Sequence, residues 1–147
     1  MQHISTSVDI RVPTKRVWAV LMDFAAYPAW NPFILRLSGQ ASPGSRLSAT
    51  IQPVGGKAMV LSPTVLSAIP ESELRWLGKL FIPGLFDGQH CFRLCAATST
   101  TTHFVHEEFF AGLLVPLAMR GRLKAGTVAG FHAMNNAIKA RAESGDA

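Results

Sequence analysis

The stretch DGQHCFRLCAATSTTTHFVHEEFF, residues Asp87 to Phe110, carries three histidines and two glutamates in a pattern that alternates like β-structure. Strand parity sorts these groups. On the first half Phe86, His90, Phe92 and Leu94 share one face; on the second half Phe104, His106, Glu108 and Phe110 do, leaving His103, Val105, Glu107 and Phe109 on the other. In the preceding segment the even positions Leu74, Trp76, Gly78 and Leu80 are apolar or small, so the even face is the inner one. A turn at Pro83-Gly84 pairs Leu80 with Phe86 and sets Trp76 opposite His90. A second turn at about Thr98 sets His90 opposite His106. The expectation is a contiguous patch of Trp76, His90, His106 and Glu108 on an otherwise apolar inner face.

Burying imidazoles and a carboxylate is costly unless they are paired, so such a patch has a purpose. Three purposes fit the residue types. Glu108 and a histidine can satisfy one another structurally. They can also hydrogen-bond the polar end of a mostly apolar guest held against Trp76. A two-histidine, one-carboxylate metal set from His90, His106 and Glu108 is the third, but no ligand-spaced cysteines and no HExxH helix support a metal, so neither metal nor cofactor is expected. His106 with Glu108 would serve as a general acid–base pair, although no nucleophile is visible. GxSxG, GxxxxGK[ST] and GxGxxG signatures are all missing from the sequence.

The elements that must position these groups follow from patterning. Ile4 to Val12 alternates as an opening strand with even positions inward, and Pro13-Thr14 ends it. Val17, Trp18, Leu21 and Met22 recur at helical spacing to about Asp23, and FAAYPAWNPF permits one more short helical turn before the chain re-extends. Turn signals at Gly39 to Gly44, Gly55-Gly56, Pro70 to Ser72, Pro83-Gly84 and Ala97 to Thr100 then divide an antiparallel meander of about six further strands. Val128, Phe131, Met134 or Asn135, and Ile138 mark a long helix from near Leu113 to near Glu143, whose apolar stripe needs the sheet to cover it. Gly121, Gly126 and Gly130 each weaken that helix by about 1 kcal/mol relative to alanine, which implies a kink, a close approach or room for a ligand.

The 147 residues suit one domain, 1–147. With 48% hydrophobic and only 16% charged residues, the chain either has a large core or lines an apolar cavity. Phe109 to Met119 is too short to span a bilayer and holds Pro116, so no stable membrane insertion is expected, and the first residues show no secretory pattern, which makes a cytoplasmic location the default. Cys91 and Cys95 lie about 13 Å apart along one strand, beyond disulfide reach. The net charge of +5 raises nucleic acid or an anionic membrane as partners, yet the basic residues are scattered apart from a loose Arg120, Arg122, Lys124 group, and no nucleic-acid-binding signature appears. Nothing in the sequence specifies an oligomeric state.

Taken together, these elements resemble the START-like helix-grip superfamily (SRPBCC), in its polyketide cyclase/dehydrase and lipid-transport branch. The resemblance is carried by Val17, Trp18, Asp23, Phe24, Tyr27, Trp30, Asn31 and Pro32; by Leu74-Arg75-Trp76; by Gly88, His90, Phe92 and Leu94; and by Gly130-Phe131 and Asn135. It implies an α+β fold in which a curved antiparallel sheet of about seven strands wraps a long C-terminal helix, with two short helices after the first strand and an enclosed apolar cavity. A carrier or sensor of a small hydrophobic molecule is then the leading expectation, with Trp30, Trp76, Phe92, Phe104, Met119, Phe131 and Met134 as apolar wall. A cyclase- or dehydratase-like enzyme using His90, His106 and Glu108 is the second, and a protein-interaction module the third. Trp30 has two readings, a core plug or a ligand-contacting wall.

Overall fold

The computed structural model describes residues 2–80 and 82–145. Strand β1 (Gln2–Ile10) leads into helix α1 (Thr14–Met22), a 3-10 turn at Phe24–Ala26 and the one-turn helix α2 (Tyr27–Trp30). Strands β2 (Ile34–Ser38), β3 (Ser48–Ile51), β4 (Met59–Leu61), β5 (Thr64–Ile69), β6 (Glu73–Leu80), β7 (Phe86–Thr98) and β8 (Thr101–Ala111) follow. The chain ends in the short helix α3 (Val115–Ala118) and the long α4 (Gly121–Glu143).

The α+β fold and its antiparallel strands wrapped on a long C-terminal helix are as expected; the strands number eight, ordered β1-β8-β7-β6-β5 in one sheet and β2-β3-β4 in a second, all pairs antiparallel. One bridge, Arg46 to Thr64, and the bonds Leu47 N–H to Pro63 O and Val65 N–H to Ser45 O join the second sheet to β5. Register breaks near Ile34, Val65 and Ala96 provide the bending that a wrapped sheet needs. Alternation in β1 holds: Ile4, Thr6 and Ile10 are buried while His3, Ser5, Ser7 and Asp9 are exposed.

Helix α4 lies along the inner face with Phe131, Met134, Asn135 and Ile138 buried. Two of its glycines explain how closely it approaches. A Cβ on Gly130 would overlap the Phe33 ring, and one on Gly126 would collide with the Val54 carbonyl, just where Val54 N–H donates to Gly126 O at 3.0 Å. The helix begins eight residues later than its periodicity suggests. Met119 is buried, Arg120 is fully extended, and Gly121 sits at φ 59°, a left-handed conformation that suits glycine. Together they break the helical path between α3 and α4. No helix among the described residues is long and apolar enough to cross a membrane.

Candidate functional site

The β6–β7 hairpin has the expected register, Leu80 with Phe86 and Trp76 with His90. The β7–β8 hairpin does not: His90 faces Glu108, and His106 faces Phe92. The shift is two residues, so every side chain keeps its predicted face. Val105 and Glu107, expected outward, do point to the outer face but are nonetheless buried, Glu107 between His3 (2.9 Å) and Arg93 (2.8 Å). Burial raises the Glu107 carboxyl, but these two contacts outweigh it and hold it below the ordinary carboxylate range.

On the inner face a hydrogen-bonded chain runs from the helix to the sheet. The Asn135 amide donates to Thr6 Oγ1 at 2.8 Å, and the Thr6 hydroxyl donates to the His106 carbonyl at 3.0 Å. Asn135 Oδ1 is therefore left to accept from His106 Nδ1–H at 3.1 Å. The Nε2 of a neutral His106 is then a lone pair, and His90 Nε2–H donates to it at 2.7 Å. A neutral His90 would now turn its Nδ1 lone pair toward Glu108 Oε1, only 2.8 Å away. Two acceptors at that distance repel, so one proton occupies this contact, giving either a carboxylic acid beside an imidazole or a carboxylate beside an imidazolium.

Burial, first, and the neighbouring His90, second, push the His106 imidazole well below its ordinary value, against the opposing hydrogen bond to Asn135. His106 is thus the neutral, fixed end of the chain. Its ring stacks on Phe131 with centroids 4.0 Å apart, and His90 stacks on Trp76 at 5.2 Å. An aromatic face beside His90 stabilises a cation there. The two Nε2 atoms, which a shared metal would have to separate, are instead bonded to each other, and no cluster of three metal-ligating groups exists among the described residues.

Beside this chain lies a cavity of about 290 Å³. Trp76, His90, Glu108 and Met119 line it; the Glu108 side chain retains 15% exposure against 1% for His90. Glu108 Oε2 has no protein partner among the described residues. A glycine makes room for it: a Cβ on Gly88 would overlap Oε2. Gly88 pairs across the strands with Gly78, and both glycines form cavity wall.

Of the other residues anticipated as wall, Phe92, Phe104, His106, Phe131 and Met134 are wholly buried in the packed core behind the cavity, not on its surface. Trp30 also lies off the cavity, edge-on to Tyr27 at 5.1 Å with its indole Nε1 buried and unpartnered among the described residues. The wall instead draws on Phe33, Ile51, Met59, Leu80, Phe110 and Leu114. These residues are indistinguishable from core by type. The opposed inward glycines were the sequence signal for a void.

A curved sheet around a long helix, with a cavity between them, defines the helix-grip class, and the sequence comparison makes it specific: residues 1–143 match the family described as polyketide cyclase / dehydrase and lipid transport, to which the chain belongs. Solved structures agree on the fold. The Zhui aromatase/cyclase from Streptomyces sp. R1128 is 20% identical, with 97% of this chain and 93% of that one covered and a TM-score of 0.78. A START superfamily protein from Mycobacterium smegmatis is 19% identical over 97% of both chains, with a TM-score of 0.72. The protein TTHA0849 from Thermus thermophilus is 13% identical over 99% of this chain and 100% of that one, at 0.75. No curated protein matches the sequence.

Proposed function

We propose that this protein binds a small, mostly apolar molecule in the cavity between its sheet and α4, as a carrier or sensor. The observation that carries this reading is the make-up of the wall: a mostly apolar lining, with the Thr127 hydroxyl tied to the Leu123 carbonyl at 2.8 Å, into which the Glu108–His90 pair projects. The volume lies at the lower edge of the ~300–1,000 Å³ typical of small-molecule sites, which favours a compact guest. Oε2 of Glu108 is positioned to accept from a hydroxyl on that guest, because the shared proton lies between Oε1 and His90.

The plug variant Gly78→Leu tests this. A Cβ at Gly78 meets nothing nearer than 3.8 Å, so a leucine there fills the cavity without displacing the backbone. Wild-type protein is expected to enhance the fluorescence of a hydrophobic naphthylamine probe saturably, and the plugged variant to fail to do so at equal stability. Equal binding by both would show that the probe sits elsewhere and would remove the support for this reading.

One observation favours a second reading, an enzyme of cyclase or dehydratase type. A proton shared between Glu108 and His90, and backed by neutral His106, is what a general acid–base step on a bound carbonyl compound requires. Glu108 would then be the catalytic residue and His106 a positioning residue. Turnover abolished by Glu108→Gln with probe affinity retained would favour the enzyme over the carrier.

A further inference from the structure

We propose that the end of the molecule around α3 is a docking surface for an anionic lipid bilayer, which brings the cavity mouth to the membrane. This proposal rests on the carrier reading for its purpose but on separate residues for its evidence. Leu113 is 82% exposed, Leu117 63% and Ile82 63%. They are neighbours, because Leu113 N–H donates to Gly84 O at 3.1 Å, Leu114 N–H to Leu85 O at 2.9 Å, and Leu85 N–H to Ile82 O at 3.2 Å, fastening the α3 segment to the β6–β7 turn. The same segment turns Leu114, Ala118 and Met119 to the cavity. One short piece of chain therefore shows leucine to solvent on one side and closes the cavity on the other.

The charges at this end complete the pattern. Arg120, Arg122 and Lys124 follow α3 directly, and all three are exposed, as is Lys79 at the end of β6. Between Glu108 and Glu143 the sequence has no aspartate or glutamate. Asp87, the acid next to the turn, faces Lys79 across the hairpin and accepts from Gly84 N–H at 3.3 Å. The remaining acids gather largely at the opposite end, where Glu143 accepts from Arg11 N–H, Glu71 from Thr14, and Asp9 contacts His103. At that end Arg11 and Lys139 pair with Glu143, so cations and carboxylates are mixed there, whereas around α3 the cations stand without neighbouring acids apart from Asp87. Exposed leucines flanked by arginine and lysine match the chemistry of a negatively charged membrane interface, where the apolar groups insert and the cations meet headgroups. Isolated exposed apolar side chains need no explanation, but three on adjoining segments beside a basic cluster do.

Co-sedimentation of the full chain with vesicles tests this. Vesicles of phosphatidylcholine and phosphatidylserine are expected to carry the protein down at low salt and to release it as salt rises; vesicles of phosphatidylcholine alone are expected to leave it in solution. Replacing Arg120, Arg122 and Lys124 together by glutamine should weaken partitioning at least about tenfold. Leu113→Ser with Leu117→Ser should abolish it while probe binding in the cavity persists, since neither side chain lines the cavity. Failure to sediment with the anionic vesicles at low salt, or sedimentation unchanged in the leucine variant, would overturn the proposal. Retention on immobilised polyglutamate without vesicle binding would overturn it in favour of an acidic protein partner. Vesicle binding by a wild-type protein that takes up no probe in its cavity would sink the carrier reading and leave the docking surface standing.

Discussion

Replacing Glu108 by glutamine separates hydrogen bonding from charge at the cavity wall. A glutamine amide can donate to His90 Nδ1 and so reproduce the contact that a shared proton makes, and stability is expected to change by less than about 1 kcal/mol in urea unfolding. Leucine at the same position leaves His90 Nδ1 buried without a partner and is expected to cost about 1–3 kcal/mol. Equal losses for both variants would contradict the directional chain. His106 provides a second test, through pH. An unfolded histidine takes up a proton near ~6.5, whereas folded His106 does so only well below that. In that interval the unfolded state binds more protons, so stability falls as pH drops below about 6.5, by up to ~1.4 kcal/mol per unit. His106→Gln should flatten the slope between pH ~6.5 and ~5; an unaltered slope would mean that His106 is already charged in the folded protein. Glu73 and Glu107, whose carboxyls lie below the ordinary range, lose their contributions only at lower pH, below about 4.3.

At the scale of elements, two glycines decide what the sheet and helix can hold. Gly88→Ala would put a methyl group where Glu108 Oε2 lies, and Gly130→Ala would press on a Phe33 ring already hemmed in by Phe131 at 5.3 Å, His106 at 6.0 Å and His90 at 6.3 Å. The helix gains about 1 kcal/mol in propensity from Gly130→Ala, but overpacking costs about 1–3 kcal/mol. A net loss of stability is expected in thermal melts, and a stabilised variant would show that Phe33 yields. The opening strand, both β6-to-β8 faces and the α4 stripe were legible because burial imposes periods of two and 3.6 on residue type. The offset between His90 and Glu108 was not. A two-residue slip preserves every face, and only the tight β7–β8 turn, with its irregularity between Ala96 and Thr98, sets it. The late start of α4 was hidden for a similar reason, since Leu113 to Arg120 continues to look helical until Gly121 adopts a positive φ. Cavity wall and core were indistinguishable among Phe33, Phe92, Phe110 and Phe131, because phenylalanine serves either place.

For the molecule as a whole, the low charged fraction of 16% is explained by two demands on apolar residues, a packed layer of Phe92, Phe104 and Phe131 and a lined void beside it. Membership of the polyketide cyclase / dehydrase and lipid transport family fits such an interior. The claim that the void is for a guest is tested most directly by native mass spectrometry of freshly purified protein beside its Gly78→Leu variant, with solvent extraction of whatever is released. A discrete added mass on the wild type, lost on denaturation and missing from the plugged variant, is the predicted result. Identical adducts on both, or none on the wild type even after incubation with hydrophobic extracts, would contradict the account.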